Sequence, residues 1–532
     1  MSRSIGRKIL KSTMVGLVLG TIGIGVYHGF KYPDKLKEGW NNFWDEEQTI
    51  PNTPGVPDTP DNPDVSVEPE EPLTYTIKFT VDEEETSQTI ANGGYATVPE
   101  EPYKQGYIFL GWSVDGQTVV EDVSTYTIKA DTTFVALFEE ITTTSASLFT
   151  FENGVVTSYI GEDLYVKIPE TYSLGETKTV QKQFTDVSEL YSHMSDNGLT
   201  TLTITDSEGN QIEVTQSSIW SATISYPVTA SVEEQTYIDG TDYTVTELGQ
   251  YIFRSSSVKQ VILPSTLTTI QVQAFYQCNN IKEMIIPKSV TKIHYNSFMT
   301  LNSIERYVVE EGNTVYDSRD NCNSIIETAT NTFFAGAGKS IIPNTVTAIG
   351  EHAFYNKGPK EIVLPDTVTT LNRYSFSYCK GLEKVTLGKG ITNIPQYAFN
   401  QCSDLKEIVF SNTLKTIEDY AFQYCDGLTE ISLPEGVESL GKKVFGLCKN
   451  LEKVILPSTL KTMGDEVFYV NNKIAEVVLN STTLPTIGTK ILSNANKDCK
   501  IYVVDELYNS YLAMDSLASY TSQIYKLSEK EN

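Results

Sequence analysis

The chain has 532 residues, 40% of them hydrophobic and 20% charged, with 68 acidic against 40 basic side chains and a formal net charge of -28. That composition excludes a disordered chain and a polytopic membrane protein, and the length predicts about three to five domains or one long repeat array. So acidic a chain also excludes nucleic acid as a partner, because phosphate binding relies on clustered Lys and Arg, and it suits an exported, soluble surface.

Residues 1–31 carry Arg3, Arg7, Lys8, Lys11 and Lys31 and no acid, and they enclose an uncharged stretch from Met14 to Phe30. Its length falls between a signal-peptide core and the roughly 20 apolar residues of a membrane span. No A-x-A-like cleavage site follows, so an uncleaved membrane anchor is favoured over a removed signal peptide. Either one places the rest of the chain outside the cytoplasm. Residues 45–72 place prolines at 51, 54, 57, 60, 63, 69 and 72, a rhythm that predicts an extended polyproline II stalk reaching on the order of 80 Å. From Asp45 to Glu140 there are 21 acids against 3 bases, and their mutual repulsion stiffens it.

Residues 73–140 alternate apolar and polar positions in short runs broken by Gly and Pro, as strands do. Tyr75 to Phe79, then Gly106-Tyr107-x-Phe109-x-Gly111-Trp112, then Ala130-Asp131-Thr132-Thr133 before Phe134 to Phe138, resemble an internalin-type B repeat. The resemblance implies a β-grasp-like spacer of bacterial surface proteins, with Leu137-Phe138 departing from the usual closing pair. Trp112 reads as a core residue ahead of a carbohydrate platform in so small a domain.

From residue 236 to 500 the chain is periodic. Phenylalanines stand at 253, 275, 298, 354, 376, 399, 422, 445 and 468, so one interval of 56 interrupts steps of 22 or 23. Cys278, Cys379, Cys402, Cys425 and Cys448 follow three residues behind, and Pro264, Pro287, Pro343, Pro365, Pro434 and Pro457 keep the same beat. A unit this small cannot bury its own apolar face and must stack on its neighbours. The pattern C-x-x-L-x-x-I-x-L-P-x-x-[LV]-x-x-I-x-x-x-A-F resembles the BspA-type leucine-rich repeat, with residues 315–354 similar to its longer variant. That resemblance implies a bacterial surface or secreted solenoid that binds other proteins. Residues 148–174 read as a degenerate first repeat, and within 141–235 an insertion from 181 carries a helix signal, DVSELYSHMSDN, and a hairpin signal, LTITDSEGNQIEVT. Residues 501–532 read as a C-terminal cap with a short helix capped by Asp505.

In each V-x-L strand the middle residue points away from the core. These are Ile262, Ile285, Val308, Val363, Thr386, Val409, Ser432, Ile455 and Val478, and two residues earlier stand Gln260, Glu283, Arg306, Glu361, Lys384, Glu407, Glu430, Lys453 and Glu476. An apolar stripe beside a charged one is a candidate protein-binding face, carried by Ile262, Ile285, Val308, Val363, Val409, Ile455 and Val478 with the cations Arg306, Lys384 and Lys453. Sheet propensity alone also favours Val and Ile there. The cysteine ladder reads as buried thiols ahead of disulfides, and its wide spacing does not suit zinc.

Other motifs fail on inspection. Gly338-Lys339-Ser340 lacks the first glycine of a phosphate loop, since Phe333 stands there. Leu484-Pro485-Thr486-Ile487-Gly488 departs from a sortase motif, and four scattered histidines suggest no catalytic set. The sequence therefore predicts a mainly β chain, a 23-residue leucine-rich-repeat solenoid preceded by a small β-grasp-like domain. It reads as a non-catalytic, adhesin-like protein on the bacterial surface or secreted, without cofactor, touching membrane only through its N-terminus and binding a protein of host-cell or extracellular-matrix origin. A display scaffold of a cell envelope or phage without a specific ligand is the alternative.

Overall fold

The computed structural model describes residues 73–196, 199–220 and 224–530. The expected anchor, 1–31, and the proline stalk, 45–72, lie outside them. Among the described residues no helix is long and apolar enough to cross a membrane.

The first domain is one mixed sheet. Strands β1 (Thr74–Val81), β2 (Glu84–Ala91), β3 (Tyr107–Ser113) and β4 (Thr132–Glu140) lie in the order β2-β1-β4-β3, with β1 and β4 parallel at the centre. Period-two alternation turns Ile77 and Phe79 inward. Phe79 meets the Trp112 ring edge-on at 4.9 Å and stacks on Phe134 at 5.1 Å. Trp112, 5% exposed, is thus part of the core. The β3–β4 register shifts between Phe109 and Gly111, where a Cβ at position 111 would stand 2.4 Å from Val119 and φ is +143°; only glycine fits.

A first coil follows, β5 (Phe149–Glu152), β6 (Val155–Tyr159) and β7 (Tyr165–Lys167). β6 and β7 pair in parallel with residues 247–248 and 260–262 of the next coil. Between the two coils the chain leaves as β8 (Thr171–Phe184), α1 (Val187–Asp196), β9 (Thr201–Thr205), β10 (Gln211–Thr215) and β11 (Val228–Thr244), in sheet order β10-β9-β11-β8. The helix and hairpin fall where their sequence signals stand, and Asp186 accepts the N–H groups of Ser188 and Glu189 at the helix start. The excursion itself is longer than the 181–235 read from sequence. β8 and β11 pair from residue 171 to residue 244 and enclose a separate core of Phe184, Leu190, Met194, Ile204, Val214 and Val228.

Each repeat then makes one coil with three sides: the V-x-L strand, ended in most coils by proline or glycine; a two-residue strand such as Thr416–Ile417; and the turn holding the phenylalanine. Coils pair in parallel at a register of one repeat, Lys384 opposite Glu407 and Thr416 opposite Ser439. The turns are tied as well, since Phe376 and Phe399 donate their N–H groups to Ala398 and Ala421 of the next coil, each at 2.9 Å. Phe376, Phe399 and Phe422 stack inside at centroid spacings of 4.9 and 5.2 Å.

The cysteines have a specific task. The carbonyls of Phe376, Phe399 and Phe422 each accept the N–H of the cysteine three residues on, and a second donor arrives from the following coil. The Sγ of Cys402 donates to Phe376 O at 3.0 Å, that of Cys425 to Phe399 O at 3.2 Å and that of Cys448 to Phe422 O at 3.2 Å. Asn471 takes the same place in the last of these coils, its Nδ2 donating to Phe445 O at 2.8 Å. All seven thiols are free and buried, and burial pushes the Cys448 thiol up to about 12.

The 56-residue interval divides the solenoid core into two clusters. Residues 316–317, 325–327 and 332–335 form an antiparallel meander, and Phe333 enters the ring stack at 5.0 Å from Phe354. Lys357 occupies the ladder place of a cysteine. Its Nζ, buried with the residue 5% exposed, spans the seam to Phe298 O at 3.1 Å and Tyr307 Oη at 3.0 Å. Burial pulls this amine down to about 7.

Two outcomes follow from these contacts. Cys425→Val keeps the volume and removes the donor; urea titration should show a loss of about 1 kcal/mol, and in the intact chain a thiol reagent at pH 8 should leave this ladder unlabelled until unfolding. For Lys357, the unfolded amine titrates near 10.4, so between about pH 7 and that value the unfolded chain binds the extra proton and stability rises with pH. The stability difference between wild type and Lys357→Met should therefore move toward wild type from pH 7 to 9, by at most about 1.4 kcal/mol per unit.

Candidate functional site

Alternation puts the stripe read from sequence on one side of the solenoid, and the structure covers it at both ends. At the start, Gln260 is 2% exposed. Its Oε1 accepts the Gly106 N–H at 2.9 Å, and its Nε2 donates to the carbonyls of Lys104 and Tyr107, each at 3.1 Å. Lys259 meets Glu101 at 3.4 Å beside it. The first domain is thereby fastened to the strand side, leaving a cleft of about 210 Å³ lined by Tyr103, Tyr107, Tyr165 and Lys282. Glu283, 4% exposed, is buried here too and bonds Arg306 at 2.7 Å; the Tyr103 hydroxyl is pushed up by burial first and by Glu283 second. Ile262, Ile285 and Val308 are half-buried along this margin.

At the far end Val478 is corrected. It is 4% exposed, because Tyr502 stands at its register on the next strand and Lys530 reaches back to Glu476 at 2.5 Å, lying over the Tyr502 ring. Val478 cannot contact a partner without displacing the C-terminus. Asp505 also departs from expectation: its carboxylate accepts from the backbone and hydroxyl of Ser528 instead of capping the helix Tyr508–Leu512.

The middle of the stripe is open. Val363 is 64% and Val409 40% exposed, and Ile455 is half-buried. The cations beside them are not free, since Lys384 pairs with Glu407 at 2.8 Å and Lys453 with Glu430 at 3.4 Å. Exposed pairs of this kind contribute about 0–1 kcal/mol, so a partner can exchange them at little cost. Among the described residues no group of three His, Cys, Asp or Glu gathers as a metal site.

A second ladder escaped the sequence reading. His352, Tyr374, Tyr397 and Tyr420 stack along the turn side with centroids 5.2, 4.9 and 4.9 Å apart and planes within 4°. Its signal was present in E-H-A-F, R-Y-S-F, Q-Y-A-F and D-Y-A-F. Neighbouring rings cover one another's faces, which does not suit a sugar-stacking platform.

A family model described as BspA type leucine-rich repeat region matches in six copies over residues 234–333, 329–431 and 392–510, which together span more than half the chain. A Listeria-Bacteroides repeat domain matches residues 75–137. No curated protein matches. Among solved structures, a leucine-rich repeat protein from Eubacterium ventriosum is 22% identical with a TM-score of 0.41, covering 47% of this chain and 74% of that one. The pneumococcal vaccine antigen PcpA is 20% identical, TM-score 0.41, over 54% and 71%. A leucine-rich cell surface protein from Faecalibacterium prausnitzii is 24% identical, TM-score 0.33, over 39% and 58%.

If Gln260 fastens the first domain, Gln260→Leu should speed hydrogen exchange at the Gly106 amide about tenfold, one hydrogen bond being worth about 0.5–1.5 kcal/mol. Exchange in the strand around Ile77 should stay unchanged.

Proposed function

Because the chain belongs to the family of BspA type leucine-rich repeat proteins, we propose that it is a non-catalytic, adhesin-like protein of the bacterial surface, or a secreted one, that binds a host-cell or extracellular-matrix protein through its strand side from Glu361 to Ile455. Proteins of this family are typically surface-displayed or secreted, and leucine-rich repeats generally mediate binding between proteins. The observation that carries the reading is the open middle of the stripe, Val363 and Val409, between two ends that the chain itself covers. Membrane contact in this reading comes only through residues 1–31.

Five strands spaced about 4.8 Å apart and about three residues long present on the order of 200 Å². A standard interface buries about 800 Å² per partner. The stripe therefore acts as the apolar centre of a footprint whose rim is the paired charges and flanking turns, the arrangement in which a few central residues carry most of the affinity.

Capture from host-cell and matrix extracts by the full chain tests this. With Val409→Asp and Ile455→Asp combined, and circular dichroism unchanged, retention of a saturable partner should fall by at least about tenfold. The control Thr370→Asp, on another side of the coil, should retain it. No partner above background, or equal capture by both variants, sinks the reading in favour of a display scaffold.

A further inference from the structure

The strand side has a gap that the repeat pattern does not call for. Lys339 to Ile342 precede Pro343 as Glu361 to Leu364 precede Pro365, which puts Ile341 at the register of Val363. A regular coil would pair these two segments. Gly338 and Lys339 begin correctly, donating to Ile304 O at 2.8 Å and Glu305 O at 2.9 Å. The meander of the long repeat then draws the chain aside, the Ile341 N–H going to Cys322 O at 3.0 Å and that of Tyr307 to Asn323 O at 3.1 Å. Residues 339–342 form no strand.

The strand Glu361–Val363 consequently pairs on one side only, with Lys384–Thr386. On that side Lys360 O accepts from Glu383 and the Leu364 N–H donates to Thr386 O. Main-chain groups alternate along a parallel strand, so those of Glu361 and Val363 face the gap, where among the described residues they meet no main-chain partner. The gap is a cleft of about 650 Å³. Ile341 and Val363, each 64% exposed, form its shoulders. Asp320 and Glu361 line it. Glu283, Glu407, Glu430 and Glu476, at the register of Glu361, are each in an ion pair; among the described residues Glu361 and Asp320 form none, although Lys384 and Arg319 lie near enough to act on them.

We infer that this cleft receives an extended segment of the protein partner, added as a strand to the edge Glu361–Val363, with apolar side chains against Ile341 and Val363 and a Lys or Arg toward Glu361 and Asp320. The inference rests on the protein-binding reading above and specifies where the partner enters and in what conformation. Open edge N–H and C=O groups call for another extended backbone, the apolar shoulders select alternate residues, and two carboxylates whose neighbouring cations, Lys384 and Arg319, are held in ion pairs by Glu407 and Asp317 select a further cation. The ladder is also interrupted between 407–409 and 430–432, but there successive coils follow without a diverted chain.

The test uses the full chain and a short fluorescein-labelled peptide alternating valine with lysine and threonine, read by anisotropy. Saturable binding is expected, weakened at least about tenfold by Glu361→Lys and equally by methylating alternate peptide amides. Val363→Pro removes one edge N–H and should act likewise with circular dichroism unchanged; if it perturbs the fold, Glu361→Lys and the methylated peptide still decide. Thr370→Asp, on another side of the coil, should leave binding within about twofold. The inference falls if a peptide of the same composition with its valines grouped binds as well, or if Glu361→Lys and amide methylation change nothing. Peptide failure with the extract partner still lost on Val409→Asp and Ile455→Asp overturns the strand addition and spares the wider reading. Peptide binding with that partner unaffected does the reverse.

Discussion

The main-chain ladder between coils sets everything else. Parallel pairing holds successive coils about 4.8 Å apart, so each side chain must coexist with whatever stands one repeat away. Like on like is acceptable when rings stack, as Phe376, Phe399 and Phe422 do, or when a small donor reaches the neighbouring carbonyl, as the cysteines do. Like charges at that distance would repel. The ladder resolves this by alternating sign at one register: Lys406 with Glu383, Lys449 with Asp426, Lys461 with Glu438. Each exposed pair adds about 0–1 kcal/mol, but the arrangement limits carboxylates standing face to face in a chain of net charge -28; Glu407 and Glu430, one repeat apart, fall where the strand ladder is interrupted.

The same spacing explains why the turn side tolerates a costly backbone. His352, Tyr374, Tyr397 and Tyr420, each two residues before a stacked Phe, have φ between 58° and 61°. For a residue with a Cβ this left-handed conformation costs roughly 1–2 kcal/mol. Glycine would remove the penalty, yet tyrosine stands there in three successive coils. A stacked aromatic pair contributes about 0.5–1.5 kcal/mol beyond its burial, comparable with the strain, so the Tyr ladder offsets the turn that displays it. That makes it a structural element of the turns.

Much of this was legible because it is local and repeated. The Phe and Pro beats and the position before Phe pass directly into coils, and strand alternation gives the side on which the stripe lies. What the sequence concealed depends on contacts between distant residues. Gln260 reads as one polar residue in a charged row, and only the approach of Gly106, 154 positions away, buries it. Val478 fits the stripe by spacing and is lost to it through Tyr502 and Lys530. Ile341 was missed for the opposite reason: Pro343 keeps the beat, but the 56-residue interval hides that the residues before it stand at the register of a strand. The cysteines were readable as buried thiols, but their donor role required knowing which carbonyl lies opposite in the next coil.

A solenoid built on open ladders carries a hazard at each end, because an unpaired strand edge there would template a second copy. Here the strands of the first coil and the fastened first domain occupy one end, and Ile524–Lys526, paired to the strand at 500–503, continues into residues that fold back over the other. These covers also remove Gln260, Glu283 and Val478 from any outward surface. What stays outward is the middle of the array, where the long repeat has already disturbed the ladder. The irregular repeat costs the solenoid a continuous core, since the apolar clusters divide there, and Lys357 is buried to join the halves at the expense of its charge. Set at the margin of the exposed strand side, the irregular repeat also leaves the strand Glu361–Val363 paired on one side only, an edge that regular repeats would have closed.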